Sequence, residues 1–147
     1  MRALICSEFG STKDLSLEIR DDLEPSAGEV LIEVKAAGVN FPDILMVEGR
    51  YQVKPPLPFI PGTEVAGVVT KIGDGVKTRK VGDEVVGMVQ IGGFAGQVVT
   101  SEYTTFAKGN SMSYEQAAGF AMTYGTSYYA LKPVSYTHLR AHETSKH

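Results

Sequence analysis

The sequence predicts a mainly β domain of the α+β class, in which short strands form a small barrel or sandwich accompanied by short helices. Two observations favour this fold. Alternating segments of about five to nine residues are separated by turns rich in glycine and proline, which is typical of small barrels and sandwiches. No strand is followed by a long helix before residue 113, so parallel strand–helix–strand units are not expected.

Alternation of apolar and polar residues predicts seven strands. They cover residues 2–7, 15–19, 29–36, 64–72, 83–89, 94–100 and 104–107. Turn-forming residues precede the third strand at 25–28 and follow the fourth at 73–75. The strands leave room for one short helix between the third and the fourth.

That helix is predicted over residues 40–48. Asn40 is a good N-cap, and Asp43 stands at the N3 position, where a carboxylate complements the positive end of the helix dipole. Gly49 is expected to end the helix in a left-handed conformation. Capping alone is a sufficient structural explanation for Asn40 and Asp43.

A second helix is predicted over residues 113–132, because its apolar residues are spaced for one buried face. From Pro133 the sequence has no apolar period, and it contains all the histidines. This segment resembles translated adapter or junction sequence, with a native disordered terminus as the alternative. We therefore place the domain at residues 1–132 and expect 133–147 to be non-native or disordered.

Composition excludes several classes of protein. The chain has 147 residues, 43% hydrophobic and 21% charged, with a formal net charge of -3, so neither nucleic acid nor an anionic membrane is an expected partner. No apolar run approaches the roughly 18 residues of a membrane span. Glu8 comes too early for a signal peptide, and the cytoplasm is the expected location.

The residues before Pro133 cannot supply an ordinary zinc site. They include one cysteine, Cys6, and no histidine, whereas zinc is held mainly by thiolates and imidazoles. Cys6 lies in an apolar, strand-like segment and is expected to be buried as a small apolar side chain. No metal is therefore expected in the domain.

The only glycine-rich candidate for a dinucleotide loop is the segment 91–96. It leads into another predicted strand, whereas a phosphate-binding loop opens a helix. We interpret Gly92 and Gly93 as a turn. A dinucleotide-binding half is thus expected to be missing from this polypeptide.

Three motifs point to a family. They are GVNFPD at residues 38–43, EGRY at 48–51, and PGTE at 61–64 followed by glycines at 67 and 73. Over residues 1 to about 132 the chain resembles the N-terminal, GroES-like domain of the medium-chain dehydrogenase/reductase superfamily, which implies a partly open β-barrel with one or two helices. Within that superfamily it is most similar to the zinc-independent NADPH:quinone oxidoreductases.

The resemblance bears on the metal as well. Zinc-dependent members have a cysteine ligand where this chain has Asn40 and a histidine ligand where it has Thr63. Neither a carboxamide nor a hydroxyl replaces such ligands. The resemblance therefore implies a reductase that uses no zinc.

The resemblance also implies roles for individual residues. Asn40 and Tyr51 correspond to the catalytic residues that face the nicotinamide and the substrate oxygen, and Asn40 and Thr126 correspond to cofactor contacts. Tyr51 is equally explained as an amphipathic aromatic residue at a loop edge, and Thr126 as a residue that bonds back to the preceding helical turn.

We expect three further residues to hold the catalytic side chains in place without contacting the substrate. They are Asp43, Thr63 and Glu64. Glu64 stands in an apolar strand, where an unpartnered buried carboxylate would be costly. It is expected either to hold the loop of Asn40 or to be exposed to solvent.

The function implied by the resemblance is hydride transfer from NADPH to a quinone or enone, with this chain as the substrate-side fragment. The parent enzyme is expected to be a homodimer in the cytoplasm. The isolated chain is expected to be inactive and to hold no cofactor tightly. Two alternatives remain, a fragment of an acyl-CoA or polyketide enoyl reductase and a non-catalytic GroES-like module.

Overall fold

A computed structural model of the protein describes residues 1–119. In this range the structure has seven strands and one complete α-helix. They are β1 (Arg2–Ile5), β2 (Ser16–Ile19), β3 (Glu29–Gly38), α1 (Phe41–Glu48), β4 (Glu64–Ile72), β5 (Glu84–Met88), β6 (Gln97–Ser101) and β7 (Thr105–Ala107). Two single 3₁₀ turns, at Thr12–Asp14 and Glu102–Thr104, were not predicted. The order and type of the predicted elements are otherwise confirmed.

The strands form two antiparallel sheets. Five strands pair in the order β6-β3-β4-β5-β7, and β1 pairs with β2. Isolated bridges, Ala3 to Ala95 and Cys6 to Phe59, tie β1 and the residue after it to the loops beside the larger sheet. The two sheets do not close on each other, which confirms the predicted partly open arrangement.

β3 and β4 are the central strands of the larger sheet. Their ladder shifts register twice, between Leu31 and Ile32 and between Val34 and Ala36. Such bulges bend a strand and increase its twist. The bend brings the last residue of β3, Gly38, opposite the first residue of β4, Glu64, beside the start of α1.

The main core lies on one face of this sheet. Its members are buried aliphatic residues, all of them β-branched, a class that packs well on a pleated surface. They are Val30, Ile32, Val65, Val69, Val85 and Val98. Four strands contribute to the cluster, so it holds β3, β4, β5 and β6 together.

The alternation of β2 does not mark a buried face. Leu17 is 61% exposed and Ile19 is 75% exposed. β2 pairs with β1 alone, and the residues of β1 that point into the core are Ala3 and Ile5. Because Leu17 and Ile19 pair with the alternate positions of β1, they point outward.

The start of the second predicted helix is confirmed. Residues 114–119 are helical, and Ala117 and Ala118 are buried against Ala66 and Val86 of the larger sheet. The rest of that helix to residue 132, and the segment 133–147 with its histidines, lie outside the described residues. Within residues 1–119, no helix has the length and apolar character to cross a bilayer.

Candidate active site

The N-terminal end of α1 is built as the sequence predicts. Asn40 is the N-cap, and its backbone N–H donates to Oδ2 of Asp43 at 2.7 Å. The backbone N–H of Asp43 donates back to the carbonyl of Asn40 at 3.0 Å. Gly49 ends the helix with φ 74°, the left-handed conformation that glycine adopts at little cost. The main chain of Asn40 is therefore fixed by the helix itself.

The side chain of Asn40 is held by Glu64. Its amide Nδ2 donates to Oε1 of Glu64 at 3.3 Å. Glu64 is fully buried at the start of β4, and it has a further interaction besides the one with Asn40. The alternative that Glu64 is exposed is therefore wrong, and the expectation that it holds the Asn40 loop is the one the structure supports.

Asp43 is the second buried carboxylate at this point. The hydroxyl of Thr63 donates to its Oδ1 at 3.3 Å, while Oδ2 accepts from Asn40. Burial raises the pKa of Asp43, and the hydrogen bonds from Asn40 and Thr63 offset part of that rise. Asn40, Asp43, Thr63 and Glu64 thus form one hydrogen-bonded group, which we call the Asn40 network.

The loop before β4 places Thr63 and Glu64. Gly62 has φ 106°, and a Cβ there would stand 2.7 Å from the backbone nitrogen of Phe94. Backbone N–H groups of Gly93 and Phe94 donate to the carbonyls of Gly62 and Pro61. The 92–93 glycines are thus a turn between strands that supports this loop, as predicted, and no helix opens after them.

Tyr51 lies beyond the other end of α1. It is half-buried against the cluster of Cys6, Met46, Val47 and Phe59. An eight-residue helix is about 12 Å long, so α1 separates the position of Tyr51 from the N-cap position along the helix axis. The structure brings Asn40, Asp43, Thr63 and Glu64 into one network, and the hydrogen bonds of that network given above do not include Tyr51.

Cys6 is 1% exposed in the same apolar cluster, which confirms its predicted packing role. Burial raises the pKa of its thiol. Thr126, the other expected cofactor contact, lies outside the described residues. Its role stays a prediction.

No metal-binding group stands at the Asn40 network or elsewhere in the described part of the chain. Residues 1–119 contain no cluster of three or more His, Cys, Asp or Glu side chains that could hold an ion. The network itself offers an amide and a hydroxyl beside two carboxylates that already accept hydrogen bonds. A zinc-free mechanism stays a prediction that this geometry favours.

Sequence reasoning missed two features around Asn40. Its neighbours Val39 and Phe41 are apolar yet 71% and 68% exposed, so Asn40 lies between two apolar side chains that face solvent. Gly38, the first residue of the GVNFPD motif, pairs with Glu64 across the β3–β4 ladder. The signal for both features was proximity to Asn40 in the sequence, within two residues.

The sequence was then compared with known protein families. Residues 26–135 match the family described as the alcohol dehydrogenase GroES-like domain. The chain belongs to this family. The predicted GroES-like fold and the resemblance to the medium-chain dehydrogenase/reductase superfamily are thereby confirmed.

Individual relatives agree with this assignment. A quinone oxidoreductase-like protein 2 homolog of Nematostella vectensis is 41% identical over 133 residues, which is 89% of this chain and 36% of the relative. A human synaptic vesicle membrane protein VAT-1 homolog-like protein superposes with a TM-score of 0.88 at 36% identity, covering 91% of this chain and 43% of that one. Escherichia coli quinone oxidoreductase complexed with NADPH superposes with a TM-score of 0.85 at 32% identity, covering 89% of this chain and 40% of that one. The chain spans about a third of the length of the curated relatives it matches.

Proposed function

We propose that this chain is the substrate-side part of an NADPH-dependent oxidoreductase that transfers a hydride to a quinone or an enone without zinc. The observation that carries the proposal is the Asn40 network, which holds a neutral amide at the point where zinc-dependent members have a metal ligand. Relatives named as quinone oxidoreductases, one of them complexed with NADPH, support the same chemistry.

The residues that would meet the cofactor are Asn40 and Thr126. Bound NADPH would supply the hydride. The task of the protein is then to hold donor and acceptor carbons at about 3–3.5 Å and to keep them aligned. A clamped amide such as that of Asn40 suits this task, because it binds through hydrogen bonds without exchanging a proton.

Negative charge develops on the substrate oxygen as the hydride arrives. Hydrogen-bond donors fixed in advance at that oxygen lower the barrier. We assign this role to the free N–H of the Asn40 amide and to the O–H of Tyr51. Asp43, Thr63 and Glu64 act through Asn40, because each belongs to the hydrogen-bonded network around it.

The proposal extends to the organisation of the protein. Residues 1–132 make up the GroES-like domain with the start of a connecting helix, and 133–147 do not belong to it. The parent is a cytoplasmic homodimer. The isolated chain is inactive and binds NADPH weakly, since the chain spans only about a third of the length of its relatives. Calorimetry with NADPH checks the weak binding. Tight binding of NADPH would contradict it.

One observation favours the alternative of a non-catalytic module. The VAT-1 homolog-like protein, whose name states no reductase activity, superposes as well as Escherichia coli quinone oxidoreductase does. A full-length parent that dimerises but oxidises no NADPH would support that alternative. Turnover of a short enoyl-CoA in preference to 1,4-quinones would instead support the enoyl reductase alternative.

The test is NADPH oxidation by the full-length parent with 1,4-quinones. Asn40→Ala and Tyr51→Phe should each lower turnover, by about 100-fold for a lost oxyanion donor. Tyr103→Phe is the matched control, since Tyr103 is 75% exposed and stands outside the network. Full activity of both Asn40→Ala and Tyr51→Phe would overturn the proposal.

A further inference from the structure

We propose that Gly38 and Glu64 act together as positioning residues that fix the direction of the Asn40 amide. This inference rests on the proposed function, because it explains how Asn40 is prepared to meet the cofactor and the substrate. Glu64 supplies the acceptor that orients the amide, and Gly38 supplies the space in which that acceptor sits.

The first step is the chemistry of Glu64. An ionised carboxylate only accepts hydrogen bonds, and an asparagine amide has a donor end and an acceptor end. With Nδ2 donating to Oε1 of Glu64 at 3.3 Å, the carbonyl oxygen of Asn40 must point away from Glu64. The reversed amide would set that oxygen against a carboxylate oxygen of the buried Glu64, which is unfavourable because both atoms are acceptors.

The second step is the place of Gly38. A Cβ at this position would lie 2.7 Å from Oε1 of Glu64, the same oxygen that accepts from Asn40. It would also lie 2.7 Å from the backbone carbonyl oxygen of Ala118, in the second helix. Real Cβ contacts are essentially never shorter than 3.0 Å, so a side chain at residue 38 requires a shift at both contacts, with the carboxylate and with that helix.

Space, and not backbone conformation, is the reason for glycine at this position. Gly38 does not have a positive φ, unlike Gly49 or Gly62. Alanine could therefore adopt the same backbone angles. The expected cost of Gly38→Ala arises from the contact with Glu64 and Ala118 alone.

The third step is that the main chain and the side chain of Asn40 are fixed separately. Asp43 holds the backbone N–H of Asn40 at 2.7 Å, so the Cα position does not depend on Glu64. Loss of Glu64 should then leave the helix start in place while freeing the amide to rotate. Once oriented, the amide has its second N–H available as a donor in a fixed direction.

The test uses the 147-residue chain and nuclear magnetic resonance of the Asn40 side-chain amide. One of its two N–H protons should be shifted downfield and exchange slowly with water, while the other resembles an ordinary asparagine. Glu64→Gln and Gly38→Ala should each reduce that difference. Gly119→Ala is the matched control in the second helix, since a Cβ there would meet nothing within 4 Å. If Gly38→Ala fails to fold, the spectra of the wild-type chain and of Glu64→Gln are sufficient to test whether Glu64 orients the amide.

Two ordinary, fast-exchanging N–H resonances in the wild-type chain would overturn the inference. So would a wild-type pattern that survives Glu64→Gln unchanged. Neither measurement depends on enzymatic activity. The inference about the Asn40 amide can therefore be tested independently of the proposed function.

In the full-length parent the same residues should act through Asn40. Glu64→Gln should lower kcat by about 10- to 100-fold with little change in KM, since misplacement of a catalytic group by about 1 Å has effects of this size. Combining it with Asn40→Ala should add little to the loss from Asn40→Ala alone. Additive losses would mean that Glu64 does not work through Asn40, whereas full activity of Asn40→Ala would count against the proposed function.

Discussion

At the scale of single residues, the notable feature is a pair of buried carboxylates beside the start of α1, one in the helix and one in β4. Asp43 is 2% exposed and Glu64 fully buried, although carboxylates are seldom buried without partners. Both oxygens of Asp43 accept a hydrogen bond, from Asn40 and from Thr63. The network is therefore stabilised by donors whose loss leaves a buried charge poorly satisfied.

Thr63→Val tests this directly. Valine keeps the shape of threonine but removes the hydroxyl that donates to Oδ1 of Asp43. A buried acceptor that loses its donor costs about 1–3 kcal/mol, so the free energy of unfolding should fall by that amount in a denaturant titration. The pKa of Asp43 should rise further, because one of the bonds that lowers it is gone.

Thr70→Val is the matched control for Thr63→Val. Thr70 is an exposed residue of β4, and its replacement should change stability by no more than about 0.5 kcal/mol. Equal effects of the two substitutions would show that the bond from Thr63 to Asp43 adds nothing to stability.

At the scale of elements, the connection between β4 and β5 is held by a third buried carboxylate. Glu102 is 2% exposed in the 3₁₀ turn before β7. Its Oε1 accepts from the backbone N–H groups of Lys77 and Thr78 and from the hydroxyl of Thr78, at 2.7 to 3.0 Å. The hydrogen bonds from Thr78, then the one from Lys77, hold the pKa of Glu102 below its usual range.

The lowered pKa of Glu102 predicts a particular dependence of stability on pH. The unfolded chain binds the proton more tightly than the folded one, so stability from Glu102 is fully present above the usual glutamate pKa and is lost as pH falls through the lowered folded value. Glu102→Gln keeps an acceptor oxygen but removes the charge. It should lower the melting temperature near neutral pH and make its fall towards acid shallower.

Thermal melts across the acid range check the prediction for Glu102. Glu115→Gln is the control, because Glu115 is exposed at the start of the second helix. A wild-type and a Glu102→Gln chain that lose stability in parallel from neutral to acid pH would contradict the assignment.

How well the sequence predicts an element depends on whether its determinants are local. The boundaries of α1 follow from Asn40 and Gly49, which act within the helix, and β4 was predicted at its observed bounds of Glu64–Ile72. The orientation of β2 could not be predicted from its sequence, because alternation defines two faces of a strand but not which of them packs on the core. Its orientation is decided by pairing with β1.

The candidate site shows the same limit. That Asn40 caps α1 is visible from residues three positions apart, whereas its bond to Glu64 joins positions 24 apart in sequence. The role of Gly38 depends on the register of β3 and β4 and on the approach of Ala118. Such contacts follow from the fold, and no local pattern of residue types contains them.

At the scale of the whole molecule, the Asn40 network joins the start of α1 to the start of β4 through hydrogen bonds. The proposal that this domain holds no zinc can be tested on the entire chain.

Added zinc should leave the melting temperature unchanged once the tail histidines, His138, His142 and His147, are replaced by glutamine. A ligand that binds only the folded state at 100 times its Kd stabilises by about 2.7 kcal/mol, which raises the melting temperature of a domain of this size by several degrees. A zinc-dependent rise in this variant would therefore contradict the metal-free interpretation. Adding Asn40→Cys and Thr63→His to it supplies the thiolate and imidazole of the zinc-dependent pattern beside Glu64. The melting temperature of this variant should rise with added zinc. Such a rise would show that the measurement can detect a zinc site at this position. It would also show that the residue types at 40 and 63, and not the fold, determine whether zinc binds.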